Sequence, residues 1–192
     1  MAALFALLVI CASSTPARAQ ALGWEGETGV FVTPLAYTAS AEGQKIHPVV
    51  AYHYFNAGSV IGDFHETSIE LGIGKRVEIG YTHEFHNFGD NAGLSPLWQN
   101  GFDIFNGKVN LIPENYNKKN WVPAISAGFI ARTGVRNVGN YLEGANNNPD
   151  EISGKANGDV YVVASKVVTQ VSKHMPVVLS AGVRGTNAEL WG

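Results

Sequence analysis

Glu66, Glu70, Glu78 and Glu84 are the residues of this chain best suited by type and spacing to do chemistry. Glu66 and Glu70, and likewise Glu78 and Glu84, are an even number of positions apart, and even spacing puts side chains on one face of a β-strand. Carboxyl groups on a shared face can act as acid and base when their environments differ. Glycoside-cleaving sites hold such a pair roughly 5 to 10 Å apart. The same glutamates can instead line the interior of a barrel, paired with Lys108, Arg132, Lys166 and Arg184. The lining role is preferred, because several glutamates on one sheet face more commonly mark a solvated or lumen face than a catalytic one. Salt bridges across such an interior would fill it and close any pore.

Other constellations are weaker. Six histidines invite a metal reading, and His83-Glu84-Phe85-His86 is one residue short of the helical His-Glu-x-x-His pattern that holds zinc. On a strand His83 and His86 would point to opposite faces. No serine sits in a nucleophile-elbow context, and no phosphate-cradling glycine loop precedes a helix. No catalytic, metal or cofactor residue is therefore assigned. Trp98, Trp121, Tyr52, Tyr54 and Tyr81 suit either interfacial girdles or sugar-stacking platforms.

The elements that would position the glutamates are strands. Runs rich in Val, Ile, Tyr, Phe and Thr, bounded by Gly, Asn, Asp and Pro, predict strands at roughly 28–39, 47–56, 63–73, 77–87, 107–113, 121–134, 159–171 and 176–189. No helical period runs through the rest. Residues 95–106 fit a short helix or an aromatic loop, and 136–158 fit a long polar loop. The hairpin 63–87 is the most informative. His65, Thr67, Ile69, Leu71 and Ile73 share a face with Val77, Ile79, Tyr81, His83 and Phe85, provided that Gly74-Lys75-Arg76 is the loop and Ile73 pairs with Val77. Glu66 then sits opposite Glu84, a repulsive pair unless water or a cation intervenes. In 121–134, Ser126, Gly128 and Arg132 oppose Ile125, Ala127, Phe129 and Ala131. In 159–171, Ala164, Lys166 and Gln170 oppose Tyr161, Val163, Val167 and Val171. In 176–189, Ser180, Gly182, Arg184 and Thr186 oppose Val177, Leu179, Ala181 and Val183.

The expected architecture is all-β: an antiparallel up-and-down meander forming an outer-membrane-type β-barrel, incomplete in this chain. One face apolar and one face small and polar suits a narrow barrel, although a sandwich also segregates its faces. The connections alternate between short and long, as barrel rims do, but out of phase. Either a strand is miscounted or 28–39 is not a barrel strand. The chain stops at Glu189-Leu190-Trp191-Gly192 just after a strand, which suggests a C-terminal truncation.

The N-terminus predicts export. Leu4 to Ala12 is apolar, Ser13 to Pro16 break it, and Ala17-Arg18-Ala19 is a small-x-small cleavage site, with Ala21 as the alternative. No Lys or Arg precedes the apolar run, which points to a wrongly chosen start codon or a partial sequence. Residues 1–19 are read as a signal peptide and 20–192 as one domain. Ile10 before Cys11 argues against lipidation, and cleavage removes the only cysteine. Loss of Arg18 leaves 12 basic against 16 acidic residues, which argues against nucleic acid as a partner.

A resemblance points the same way. Gly23-Trp24-Glu25-Gly26 and Thr28 to Thr38 resemble the opening of an uncharacterised family of exported proteins of Gram-negative bacteria, a domain of unknown function. Pro48 to Tyr54, Leu94 to Trp98, Trp121 to Ser126 and Arg132-Thr133 carry the resemblance through most of the chain. It implies an outer-membrane β-barrel and supplies no catalytic residues. The Gly29-x-x-x-x-Pro34 opening is also similar to barrels associated with exopolysaccharide export, which makes a polysaccharide or small solute a candidate partner beside membrane lipid. The leading expectation is an outer-membrane barrel of structural or transport role. The alternatives are a secreted or periplasmic carbohydrate-binding β-sandwich and, behind it, a glycoside-cleaving enzyme using paired glutamates.

Overall fold

Strict alternation between Glu66 and Ile73, a glycine turn and a second alternating run dictate a hairpin, and the hairpin forms in the expected register. In the computed structural model, which describes residues 21–41, 43–95, 101–135, 155–168 and 177–187, Ile73 pairs with Val77 and Glu66 with Glu84. Gly74 and Lys75 both take the left-handed conformation, with φ of 57° and 61°. Successive positive φ values give the turn a twist that matches the flanking strands.

The same pairing continues outward on both sides. After a small hairpin of β1 (Gly29–Val30) and β2 (Thr33–Pro34) come β3 (Ile46–Asn56), a helical turn α1 (Gly58–Ile61), β4 (Gly62–Ile73), β5 (Val77–Phe88), β6 (Phe102–Ile112), β7 (Ala124–Val135), β8 (Lys155–Val168) and β9 (Val177–Thr186). Strands β3 to β9 form one seven-stranded antiparallel meander in sequence order. The sheet curls into a half-barrel with β3 and β9 as its edges. The fold is all-β, and an incomplete barrel describes it. The signal peptide, Trp98 and most of the loop expected at 136–158 lie outside the described residues.

Three expectations need correction. First, 28–39 is not a strand of the meander. Only Gly29–Val30 and Thr33–Pro34 pair, across a turn in which Phe31 has φ of 54°. The remainder crosses the polar face of the sheet. Pro34 has no N–H to give a ladder, and a two-residue hairpin leaves no room for one. Without this segment, each connection on one rim is longer than the next on the other: 57–61 against 74–76, 89–101 against 113–123, and 136–154 against 169–176. The phase conflict seen in the sequence came from counting 28–39 as a strand.

Second, β6 begins at Phe102, inside the stretch read as a helix or loop. Asp103 to Phe105 pair with His83 to Tyr81 on one side and with Thr133 to Ala131 on the other. Third, the faces of β8 are reversed. Tyr161 pairs with Gly128 and Val163 with Ser126, so both point to the polar face, and Lys166 points away from it. Four consecutive apolar residues from Val160 to Val163 carry no alternation, so Lys166 alone had suggested the phase. The register is fixed instead by Gly128, where a Cβ would come within 2.5 Å of the Tyr161 ring.

Burial is inverted relative to a water-soluble sheet. Glu66, Glu70 and Glu78 are 0% exposed, whereas Val50, Val160 and Val183 on the opposite face are 68%, 66% and 74% exposed. The inner face is itself divided. Charges gather on β4 to β6 (Glu66, Glu70, Glu78, Glu84, Lys108) and toward the α1 rim of β7 to β9 (Arg132, Asp159, Arg184), and an apolar cluster of Phe102, Ile104, Ala124, Ile130, Tyr161 and Val163 packs on β6 to β8 around Ala36.

Gly72 lets the crossing segment approach, because a Cβ there would lie 1.9 Å from the Ala39 carbonyl oxygen. Gly72→Val is expected to lift residues 36–40 from the sheet at a cost of about 1–3 kcal/mol. Hydrogen-exchange mass spectrometry should show faster exchange there with the β4–β5 hairpin unchanged. Unaltered exchange at 36–40 would contradict this contact.

Candidate functional site

The site begins with Glu78 on β5. Its carboxylate accepts hydrogen bonds from Thr28 N (2.8 Å), Thr28 Oγ1 (2.5 Å) and Ala39 N (2.5 Å), and lies 2.8 Å from Lys108 Nζ on β6. Lys108 Nζ also donates to the Thr28 carbonyl at 2.9 Å. Both side chains are fully buried. Further along, Ala36 N donates to Ser165 Oγ at 2.9 Å. The Ala36 carbonyl accepts from Asn110 Nδ2 (2.9 Å) and Ser126 Oγ (2.6 Å). The backbone of 28–39 thus finds in strand side chains the partners that a β-ladder would otherwise supply.

A second cluster lies nearer the other rim. Glu25 pairs with Arg132 of β7 and with Arg184 of β9 at 2.9 Å, and both guanidiniums pair with Asp159 of β8. Arg184 also donates to the Val32 carbonyl at 3.1 Å. Trp24 Nε1 donates to Glu84 at 3.2 Å, and Asn106 Nδ2 bridges the Glu25 carbonyl and Glu70 at 3.2 and 3.1 Å. Residues 22–39 therefore form a plug bound across the inner face.

The structure brings together Glu66, Glu70, Glu78, Glu84, Lys108, Arg132 and Arg184 on one face beneath this plug. It does not bring Lys166, which sits at the rim against Glu114 (3.0 Å) and Asn115 (2.6 Å). Glu66 and Glu84 face each other as the register requires. His53 Nδ1 lies 3.5 Å from Glu66 and the Trp24 indole bonds Glu84. Glu66, Glu70 and Glu78 are sealed from solvent, so a glycan chain has no path to them in this arrangement. His83 is on the outer face and His86 is buried on the inner one, bonded to the Ile61 carbonyl at 2.8 Å.

Sequence reasoning missed Glu25, Glu27 and Asp159. Their signal was faint: two acids within the glycine-rich 23–29, and one acid two positions before Tyr161. Glu27 is the most exposed to consequence, being 0% accessible with neither carboxylate oxygen hydrogen-bonded. Burial pushes its pKa up from 4.5 to about 7. Glu25 and Glu78 push it the same way, against the opposing pull of Lys108.

Two outcomes follow from these environments. The docked plug holds the Glu27 proton more tightly than the released one, so the contribution of Glu27 to docking is fully present below pH 4.5 and is lost as pH rises through about 7. The total loss is on the order of 3 kcal/mol. Exchange protection of residues 22–39 should fall across that window, and Glu27→Gln should flatten the dependence. A wild-type profile that is level between pH 4.5 and 7 would contradict it. Separately, Arg132→Leu leaves Glu25 and Asp159 sharing Arg184 alone, with one buried negative charge uncompensated, and should destabilise by about 3–5 kcal/mol in urea denaturation. Lys166→Met at the wetter rim pair should cost about 1 kcal/mol or less.

Among the curated proteins and the solved structures, none matches this chain. A family model described as a protein of unknown function (DUF3034) matches residues 20–192. The plug and the whole half-barrel fall inside that match, and the chain belongs to the DUF3034 family.

Proposed function

We propose that this chain is an exported β-barrel protein of the Gram-negative outer membrane, of structural or transport role, whose N-terminal segment plugs the lumen side of the sheet. The observation that carries the reading is the inverted burial: charges inside, Val, Ile, Leu and Phe outside. A β-sandwich in water covers its apolar faces and exposes its polar ones. Here the covered face holds Glu66, Glu70, Glu78, Lys108 and Arg132, while Val50, Ile69, Ile79, Phe105, Val109, Phe129 and Val162 stay uncovered.

Dimensions support the reading. Strands β3 to β9 run from 10 to 14 residues. At roughly 3.3 Å per residue and a tilt of about 40°, even ten residues cover about 25 Å, the height of an outer-membrane apolar band. The outer face also carries a polar aromatic belt toward one rim. Tyr52 Oη meets His65 Nδ1 at 2.6 Å, and Asp103 accepts from the Tyr81 hydroxyl at 2.7 Å with His83 Nδ1 at 2.8 Å. At the opposite rim the exposed Trp121 stands beside Lys119. Amphipathic rings at both edges of an apolar band are what a lipid interface selects. The plug makes the resting state closed, so any transport role requires its displacement.

Flotation and labelling test this. Expressed with residues 1–19 in a Gram-negative host, the chain should float with outer-membrane vesicles and resist carbonate washing. Single cysteines at Ile69, Leu71, Ile79 and Tyr81 should react slowly with a water-soluble maleimide and become reactive in detergent. Recovery as a soluble periplasmic species, with all four positions freely labelled, would end the membrane reading.

A further inference from the structure

The two rims of the sheet differ in charge. At the rim of the shorter connections stand Lys45 before β3, Lys75 and Arg76 between β4 and β5, Lys118 and Lys119 between β6 and β7, and Lys166 near the end of β8. All but Lys166 are exposed. Outside the buried interior, one carboxylate among the described residues lies at this rim: Glu114, which Lys166 meets at 3.0 Å. The opposite rim carries Asp63, Asp90 and Asp103, with Lys155 at the start of β8. Separate elements of the chain thus bring cations to one level of the fold.

Two of the lysines hold their places at a cost to the backbone. Lys75 and Lys118 take left-handed φ values of 61° and 62°, a conformation that glycine or asparagine adopts more cheaply. Turn stability alone does not select lysine there, and the strain points to a role for the charge. What lies beside the cations identifies the partner. Trp121 is 75% exposed with Lys119 Nζ 6.0 Å from its ring, and Tyr116 in the same connection is half exposed. Just inside the rim, Ile46, Ile73, Val109 and Leu111 are exposed on the outer face. A soluble acidic polymer would meet the charges and leave these apolar groups in water. A bilayer surface meets both, with rings at the headgroup level and long basic side chains reaching to phosphate.

We propose that this rim binds the acidic phospholipid headgroups of the leaflet facing the short turns, which in outer-membrane barrels is the periplasmic one. Each Lys or Arg near an anionic leaflet strengthens the attraction about fivefold. The inference rests on the membrane reading and adds to it a lipid class and an orientation.

Spin-labelled lipids test it. The full chain is reconstituted into phosphatidylcholine bilayers carrying a trace of labelled phosphatidylglycerol or labelled phosphatidylcholine, and the motionally restricted fraction of each gives their relative affinity for the protein. Phosphatidylglycerol should be favoured about twofold to fourfold when averaged over both leaflets. The preference should vanish in about 1 M salt, where charges are screened within roughly 3 Å. Lys75→Asn, Lys118→Asn and Lys119→Gln together remove half of the cations, and asparagine suits both left-handed positions. This triple variant should insert as the wild type does and lose at least half of the excess affinity. Equal affinity of the wild type for the two lipids, or an unchanged preference in the triple variant, would overturn the proposal while the membrane reading stands. Failure of the wild type to insert at all is a distinct outcome and would overturn both.

Discussion

A carboxylate and an ammonium taken out of water lose several kcal/mol each in solvation, and their mutual attraction restores this only when the remaining hydrogen-bonding capacity is also filled. Glu78 and Lys108 are both fully buried, and neighbouring strands alone do not complete their shells. Thr28 supplies an amide, a hydroxyl and a carbonyl, and Ala39 supplies an amide. Remove the plug and this pair becomes a charged patch facing whatever fills the interior. Remove the pair and the plug loses its central anchor. Sheet and segment are therefore one energetic unit, although they are different elements of the chain.

That mutual dependence explains which parts of the molecule were legible in the sequence. The loop and register of the β4–β5 hairpin were readable, because its alternation is strict and only a loop of Gly74, Lys75 and Arg76 keeps like faces together. The division of β7 and β9 was readable for the same reason. Strand β8 was not, since Val160 to Val163 are apolar on both faces and the inner apolar cluster needs two of them. The plug was not readable either. Residues 28–39 have strand-like composition, and what distinguishes them is long-range: their backbone groups are claimed by Ser165, Asn110, Ser126 and Glu78, as many as 129 positions away. The partners of Glu25 are hidden for the same reason, since Arg132 and Arg184 lie on different strands. Of the residues marked as lining the interior, Lys166 alone is elsewhere, and its displacement follows directly from the lost phase of β8.

The inner surface is graded rather than uniformly polar, and the plug follows the gradient. Glu25, Glu27 and Thr28 lie over the charged part of the sheet, whereas Ala36 sits in the apolar cluster of β6 to β8. Glu27 breaks the match. It is buried among other acids with no hydrogen bond to either oxygen, so it opposes docking whenever it is ionised. A segment that only had to fill space would do better with glutamine there. The acid gives the plug a built-in sensitivity to proton concentration between about pH 4.5 and 7.

The manner of attachment carries a last consequence. Most of the bonds that hold the plug end on its backbone: the amides of Thr28, Ala36 and Ala39, and the carbonyls of Glu25, Thr28, Val32 and Ala36. The side chains that reach for them belong to the sheet. From the plug's own side chains, Trp24, Glu25, the Thr28 hydroxyl and the Tyr37 hydroxyl make polar contacts with the rest of the chain. Backbone groups are the same whatever the residue, so the plug's identity is constrained chiefly by size, where Gly26 packs against Thr82 and Asn106 and where Ala36 and Ala39 lie fully buried. The chemical information that seats it is written into the strands, and the residues that matter most for closing the interior are therefore those of the half-barrel.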